Sequence, residues 1–253
     1  MHRLKEIEEG CFQIDHPLEF RANGYIGEED FQSSFDFAYA MTFGNSGHHR
    51  SRRSGGQLYR KNGEMFIDAF QGKLSEYAFY NLFRYSEVEI DPPDTRVMGV
   101  REWDSADFIV NGMPVAIKST KSFGNLLLLE TKDWDDQGRY IPNIGNGISE
   151  YDFFVLIRID PDGTSILKEQ RMFYSDYAEI QPLHECLSRY TWKANLAGYI
   201  TRIELIEDII DGDMVLPKNS ILNGRTRMDA ENYYVQAGDL HPMSELISYV
   251  RAQ

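Results

Sequence analysis

The sequence has little cysteine and no long apolar run. Its 253 residues include two cysteines, Cys11 and Cys186, which are too few for a disulfide framework and lack metal-ligand spacing. Purely apolar runs such as 126–129 and 153–157 fall far short of the ~20 residues that a membrane helix requires. Residues 1–10 have no apolar stretch behind their basic side chains, so we expect no signal peptide. These absences predict a protein of a reducing, cytoplasmic compartment with no membrane partner.

Basic side chains are also in short supply, and they are unevenly placed. There are 26 of them against 40 acidic ones, a net charge of −14 that by itself disfavours a polyanionic partner. Residues 37–63, however, contain no acid and carry five positive charges: Arg50, Arg52, Arg53, Arg60 and Lys61. Glycine, serine and asparagine give 44–56 the composition of a loop. We therefore expect 44–61 to contact nucleic acid, although charge runs are often only solvated surface.

The apolar pattern predicts a helix followed by strands. Leucine, alanine and phenylalanine recur at helical spacing in 69–85, and an apolar-rich run at 152–159 is typical of a strand buried on both faces. Asn111-Gly112 predicts a tight hairpin turn between two further strands. Helices are also predicted at 181–197 and 243–251. With no linker in view, we predict one domain over 1–253 with its core at roughly 69–160, and an α/β fold whose mixed sheet is flanked by helices.

The segment 103–121 (WDSADFIVNGMPVAIKSTK) contains the residues best suited to chemistry. The predicted hairpin brings Asp107 beside the strand that carries Lys118, and side chains alternate along a strand, so positions 116 and 118 share a face. A carboxylate that holds a divalent ion and a lysine that polarises water or phosphate suit phosphodiester hydrolysis. The alternatives without catalysis are that Asp107 caps a turn and that Lys118 protects a sheet edge from aggregation.

This order of helix acid, Asp, hairpin and x-x-Lys resembles the PD-(D/E)XK nuclease superfamily, whose fold is called restriction-endonuclease-like. The resemblance covers residues 72–121 and assigns Glu76 to the helix acid, Asp107 to the metal-binding aspartate and Lys118 to the catalytic lysine. It also implies a fourth core strand within 151–159.

One position departs from the family pattern. Two residues before Lys118 the family has Asp or Glu, and here the residue is Ala116. Three explanations stay open: a catalytic-site substitution made to trap an intact complex, migration of the acid to Glu76, Asp104 or Glu130, or a natural pseudo-nuclease. Glu130-Thr131-Lys132 is a second acid-x-Lys sequence, but it lies 23 residues from Asp107.

The resemblance implies a magnesium-dependent endonuclease that cleaves double-stranded DNA, most simply a type II restriction enzyme acting on a palindromic site as a homodimer. Arginine and lysine suit guanine edges and phosphates. The candidate DNA-contacting residues are Arg50, Arg52, Arg53, Arg60, Lys61, Lys121, Arg225 and Arg227. The alternatives are a nonspecific repair or defence nuclease and a non-catalytic DNA-binding protein with a decayed site.

Overall fold

The computed structural model describes residues 1–44, 60–96 and 106–253. In chain order, the strands are β1 (Lys5–Glu8), β2 (Cys11–Gln13), β3 (Phe108–Val110), β4 (Met113–Lys121), β5 (Leu126–Glu130), β6 (Phe153–Asp160), β7 (Lys193–Thr201), β8 (Val215–Leu216), β9 (Ile221–Leu222), β10 (Thr226–Arg227) and β11 (Asn232–Gln236). The helices are α1 (Glu28–Thr42), α2 (Asn62–Tyr85), α3 (Gly163–Glu169), α4 (Ile180–Ser188), α5 (Arg202–Glu204), continued by a π-helical turn (Leu205–Ile210), and α6 (Met243–Arg251).

The central sheet has the strand order β3-β4-β6-β7 and is mixed. Strands β4 and β6 run parallel, whereas β3–β4 and β6–β7 are antiparallel pairs. The first seven residues of β6 are buried, as a strand between two neighbours with both faces covered requires. The predicted α/β class and the predicted central strand are therefore confirmed.

The sheet separates two hydrophobic clusters. On one face, β4 and β6 pack against α2, which contributes Phe66, Phe70 and Leu74, all fully buried, and α1, α3, α4 and α6 add to this cluster. On the other face, Ala116 and Phe154 pack with a second sheet of order β5-β11-β8 and with the π-helical turn. The second face is thus covered mainly by strands, so the expectation that helices flank the sheet on both faces is wrong for this face.

Three smaller features differ from what the sequence predicts. The helix predicted over 181–197 ends at Ser188, and β7 begins at Lys193, because the residues after Trp192 pair with β6 in the central sheet. The run 126–129 does form a strand, but β5 pairs with β11 and lies outside the central sheet. The helix predicted over 69–85 begins earlier, at Asn62, whose side chain donates to the carbonyl oxygen of Asp176 at 2.9 Å.

Within the described residues, no helix combines the length and the apolar character needed to cross a bilayer. Cys11 and Cys186 are free thiols.

Candidate active site

A cleft of about 200 Å³ opens beside the β3–β4 hairpin, on the face of the central sheet away from α2. The hairpin contributes Asp107, Ala116 and Lys118 to its wall. The rest of the wall comes from the connection between β5 and β6, with the residues Trp134, Tyr140, Asn143 and Tyr151.

The hairpin register explains why these three residues meet. Phe108 pairs with Val115, so continuing the antiparallel register by one residue places Asp107 opposite Ala116. The turn residues Asn111 and Gly112 both have positive φ, 49° and 80°, which is the backbone of the tight turn that Asn-Gly predicts. The structure thus brings Asp107, Ala116 and Lys118 to one cleft wall, whereas the prediction also placed Glu76 with them.

Side chains alternate along β4, so its alternate residues point away from the cleft, toward α2. Val115 and Ile117 pack into the cluster of α2, and the Ser119 hydroxyl lies 2.9 Å from the hydroxyl of Ser75 on that helix. Ala116 and Lys118 consequently face the cleft.

The Asp107 carboxylate has an unusual environment. Asp107 keeps part of its surface open to solvent, but its Oδ2 accepts a hydrogen bond from the backbone N–H of Ile117 at 2.6 Å. Burial of the carboxylate among protein atoms raises the pKa of Asp107 above 3.8, and Lys118, the Ile117 N–H and Lys73 offset only part of that effect. A desolvated carboxylate of this kind gains from a bound cation.

Glu76 does not line the cleft with the other predicted residues. It lies on α2, where its Oε2 is 2.6 Å from the Nζ of Lys73. Lys73 is nearly buried, also donates to the carbonyl oxygen of Asp94 at 2.7 Å, and acts on the charge of Asp107. Glu76 is therefore linked to Asp107 only indirectly, through the positive charge of Lys73. Lys73 could not be predicted from the sequence, because one lysine in an amphipathic helix carries no distinguishing signal.

Glu130, another proposed replacement for the acid missing at Ala116, does not line the cleft. Glu130 ends β5, pairs with Asn232 of β11 and lies 3.2 Å from the Nζ of Lys132. Burial raises the pKa of Glu130, and Lys132 opposes that shift. Asp104 lies outside the described residues. Among the residues that the structure describes, Asp107 is the one carboxylate of the cleft wall.

The aromatic wall was also missed by sequence reasoning. The Trp134 ring centroid lies 5.2 Å from that of Tyr140 and 5.1 Å from that of Phe154, which joins the wall to the core beneath it. Asn143 is buried and donates to the carbonyl oxygen of Ile148 at 2.9 Å. The only available signal was a group of aromatic residues around a Gly- and Asn-rich loop, which has no periodicity to place it near β4.

The predicted DNA-contacting residues fall into two groups where the structure describes them. Arg60, Lys61 and Lys121 each pair with an aspartate: Asp68 at 3.0 Å, Asp176 at 2.5 Å and Asp162 at 3.1 Å, respectively. Arg225 and Arg227 are exposed at the β9–β10 hairpin. Arg50, Arg52 and Arg53 lie outside the described residues, so the expectation for 44–61 stays a prediction.

Comparison with known proteins adds no assignment. No protein-family model, no curated protein and no solved structure matches this chain.

Proposed function

We propose that this protein is a magnesium-dependent endonuclease that hydrolyses phosphodiester bonds of double-stranded DNA, with a restriction-endonuclease-like core. The observation that carries the proposal is the cleft whose wall contains Asp107, Ala116 and Lys118 together. The cleft belongs to a hairpin next to a parallel strand and backed by a long helix, the order of elements on which the PD-(D/E)XK resemblance rests.

The side chains of the cleft suit phosphodiester hydrolysis, in which negative charge develops on the phosphate oxygens. Lys118 supplies an ammonium that would orient the attacking water or stabilise the phosphate oxygens. Asp107 supplies the carboxylate, fixed on the Ile117 N–H, that would hold the divalent ion. When bound, such an ion supplies Lewis-acid stabilisation and lowers the pKa of its water.

The described cleft wall offers Mg²⁺ one carboxylate, which is the smallest set of protein ligands that this ion commonly uses. Mg²⁺ is commonly bound through one or two carboxylates, with water and substrate phosphate completing its six oxygen ligands. Asp107 is one such carboxylate, and its raised pKa reflects a desolvated negative charge that a cation would stabilise. With Ala116 beside it, the ion would be held weakly until DNA contributes a phosphate oxygen.

Sequence-specific recognition by a homodimer, as in a type II restriction enzyme, is the finer form of the proposal. The exposed Arg225 and Arg227 are suited to phosphate or guanine contacts, and Arg50, Arg52 and Arg53 would add to them. The acidic remainder of the chain confines favourable DNA contact to such basic segments.

A second candidate is a DNA-binding protein whose nuclease site has decayed. It is favoured by one observation: Asp107 is the single acid in the described part of the cleft wall, and an alanine takes the place of the second. A nonspecific nuclease shares the same site and differs only in its DNA contacts.

Plasmid cleavage by the unaltered protein tests the proposal. We expect nicking or linearisation with Mg²⁺ and none with a chelator, and discrete fragments if recognition is sequence-specific. A smear would indicate the nonspecific nuclease. Salt-sensitive DNA binding without any metal-dependent cleavage, in this protein or in Ala116→Glu, would support the decayed site and contradict the endonuclease.

A further inference from the structure

Two histidines and an aspartate that do not line the cleft converge where the N-terminal segment meets the end of β11. The Nδ1 atoms of His2 and His16 lie 2.5 and 2.9 Å from the same oxygen, Oδ1, of Asp239. The two imidazole centroids are 4.1 Å apart, and one ligand atom from each residue falls within 4.8 Å of the others.

The backbone of this cluster is held by one fully buried side chain, Gln236. Its Oε1 accepts hydrogen bonds from the N–H groups of Asp15 and His16 at 3.0 and 2.9 Å. Its Nε2 lies 3.2 Å from the carbonyl oxygen of His2. Because Asp239 follows only three residues later, in the 3-10 turn Ala237–Asp239, Gln236 fixes all three chain segments relative to one another.

The Asp239 carboxylate is held in place between the two histidines. Its side chain is only 6% exposed. The backbone N–H of His2 donates to the second oxygen, Oδ2, at 2.8 Å. Oδ1 is thereby directed at both imidazoles.

We propose that His2, His16 and Asp239 form a binding site for a transition-metal ion of the zinc class. Two imidazoles and one carboxylate are a ligand set that zinc and its neighbours accept, and three protein ligands leave a fourth position for water. Mg²⁺ prefers a set made of oxygen ligands alone, whereas two of these three ligands are nitrogens. The site is therefore chemically distinct from the cleft.

The geometry requires only small adjustments on binding. Zn–N distances of about 2.0–2.1 Å in a tetrahedral site place ligand atoms about 3.3 Å apart, so each Nδ1 would retreat from Oδ1 by less than about 1 Å. His2 and His16 have side chains 65% and 43% exposed, which leaves both rings room to turn. The bound ion would tie the N-terminal segment to the 3-10 turn after β11.

Zinc titration of the full-length protein, by calorimetry with excess Mg²⁺ present, tests the site. The titration uses the double variant His48→Gln/His49→Gln as its background, so that these two adjacent histidines contribute no zinc binding of their own. We expect one Zn²⁺ per chain, and at least a tenfold loss of affinity on adding His2→Gln or Asp239→Asn. His2 is mostly exposed, so its replacement leaves folding intact, and circular dichroism of each variant checks this.

The matched control is His241→Gln, which removes another histidine paired with a carboxylate, Glu204, at 2.6 Å. It should leave zinc affinity unchanged. Zinc should also raise the melting temperature of the background protein and not that of the His2→Gln variant, since a ligand that binds only the native state stabilises it. Absence of stoichiometric binding, equal affinity after His2→Gln and Asp239→Asn, or loss of binding in His241→Gln would each overturn the site.

Discussion

Lys121 and Lys118 of strand β4 each act to lower the pKa of an aspartate, Asp162 and Asp107 respectively, but the surroundings of the two aspartates differ. Lys121 lies 3.1 Å from Asp162, which also accepts hydrogen bonds from the Thr164 N–H and the Ser165 hydroxyl at the start of α3. Burial raises the pKa of Asp162, but those hydrogen bonds and Lys121 outweigh it, and the net pKa is lowered.

At the other pair the balance is reversed. Asp107 accepts one hydrogen bond from the backbone, and burial outweighs both that bond and the charge of Lys118, so the pKa of Asp107 is raised. The Asp162 carboxylate is thus occupied by hydrogen bonds within the fold, whereas the Asp107 carboxylate has acceptor capacity left for a ligand. We interpret Asp162–Lys121 as structural and Asp107–Lys118 as functional.

The largest expected effect comes from restoring the missing acid between the functional pair. Ala116→Glu would add a carboxylate on the cleft face of β4, opposite Asp107, and a second anionic ligand for Mg²⁺. We expect plasmid cleavage at equal protein and Mg²⁺ concentrations to rise by roughly two orders of magnitude, because a better-held ion stabilises the developing charge.

Ala116→Gln is the matched control, since it adds the same volume without the charge and should give no gain. Full cleavage by the alanine form, with no increase in Ala116→Glu, would show that another acid already completes the metal site.

The two aspartates should also differ in their effect on stability. Asp162→Asn removes a favourable charge, and we expect it to lower the free energy of unfolding at pH 7 by about 0.5–1 kcal/mol. Because the folded pKa of Asp162 lies below 3.8, its contribution is present above that pH and is lost as the pH falls through the folded pKa. The deficit of the variant should therefore disappear in acid.

Asp107→Asn should behave in the opposite sense. The folded pKa of Asp107 is raised, so its contribution to stability is present below 3.8 and is lost as the pH rises through the folded pKa. Asp107→Asn should be at least as stable as the parent at pH 7 and equal to it in acid. Urea unfolding of the three proteins between acid and neutral pH measures both effects, and a destabilised Asp107→Asn at pH 7 would assign Asp107 to the fold.

The smallest effect concerns Lys121 as a DNA contact. The pair with Asp162 holds its ammonium, so we expect Lys121→Met to leave the slope of log binding constant against log salt almost unchanged. A direct phosphate contact would contribute about 0.9 to that slope on duplex DNA. Arg225→Gln in the exposed hairpin is the comparison variant, and a drop of about 0.9 for Lys121→Met alone would reverse the two assignments.

The sequence was informative where the signal is local. Asn-Gly predicts the hairpin because both residues tolerate positive φ, and alternation then places Ala116 and Lys118 on one face. The helix predicted over 243–251 is confirmed by α6. Its buried residues Met243, Leu246 and Val250 recur at helical spacing, which the sequence alone shows.

The parts that depend on distant pairing could not be predicted. Strand β5 reads as another core strand, but its partner is β11, more than a hundred residues later. The aromatic wall and Lys73 reach the site through tertiary packing that leaves no periodic pattern in the sequence. Ala116 also departs from the acid-x-Lys pattern, so the sequence could not predict a complete set of metal ligands.

The most direct test of the account replaces each aspartate of the two pairs by its isostere. Plasmid cleavage is measured with Mg²⁺ for Asp107→Asn, Asp162→Asn and Lys118→Met, both in the parent protein and in the Ala116→Glu background. The account predicts that Asp107→Asn and Lys118→Met lose at least about a hundredfold in rate while Asp162→Asn keeps its activity. Cleavage by Asp107→Asn at the parental rate, or no metal-dependent cleavage in either background, would contradict it.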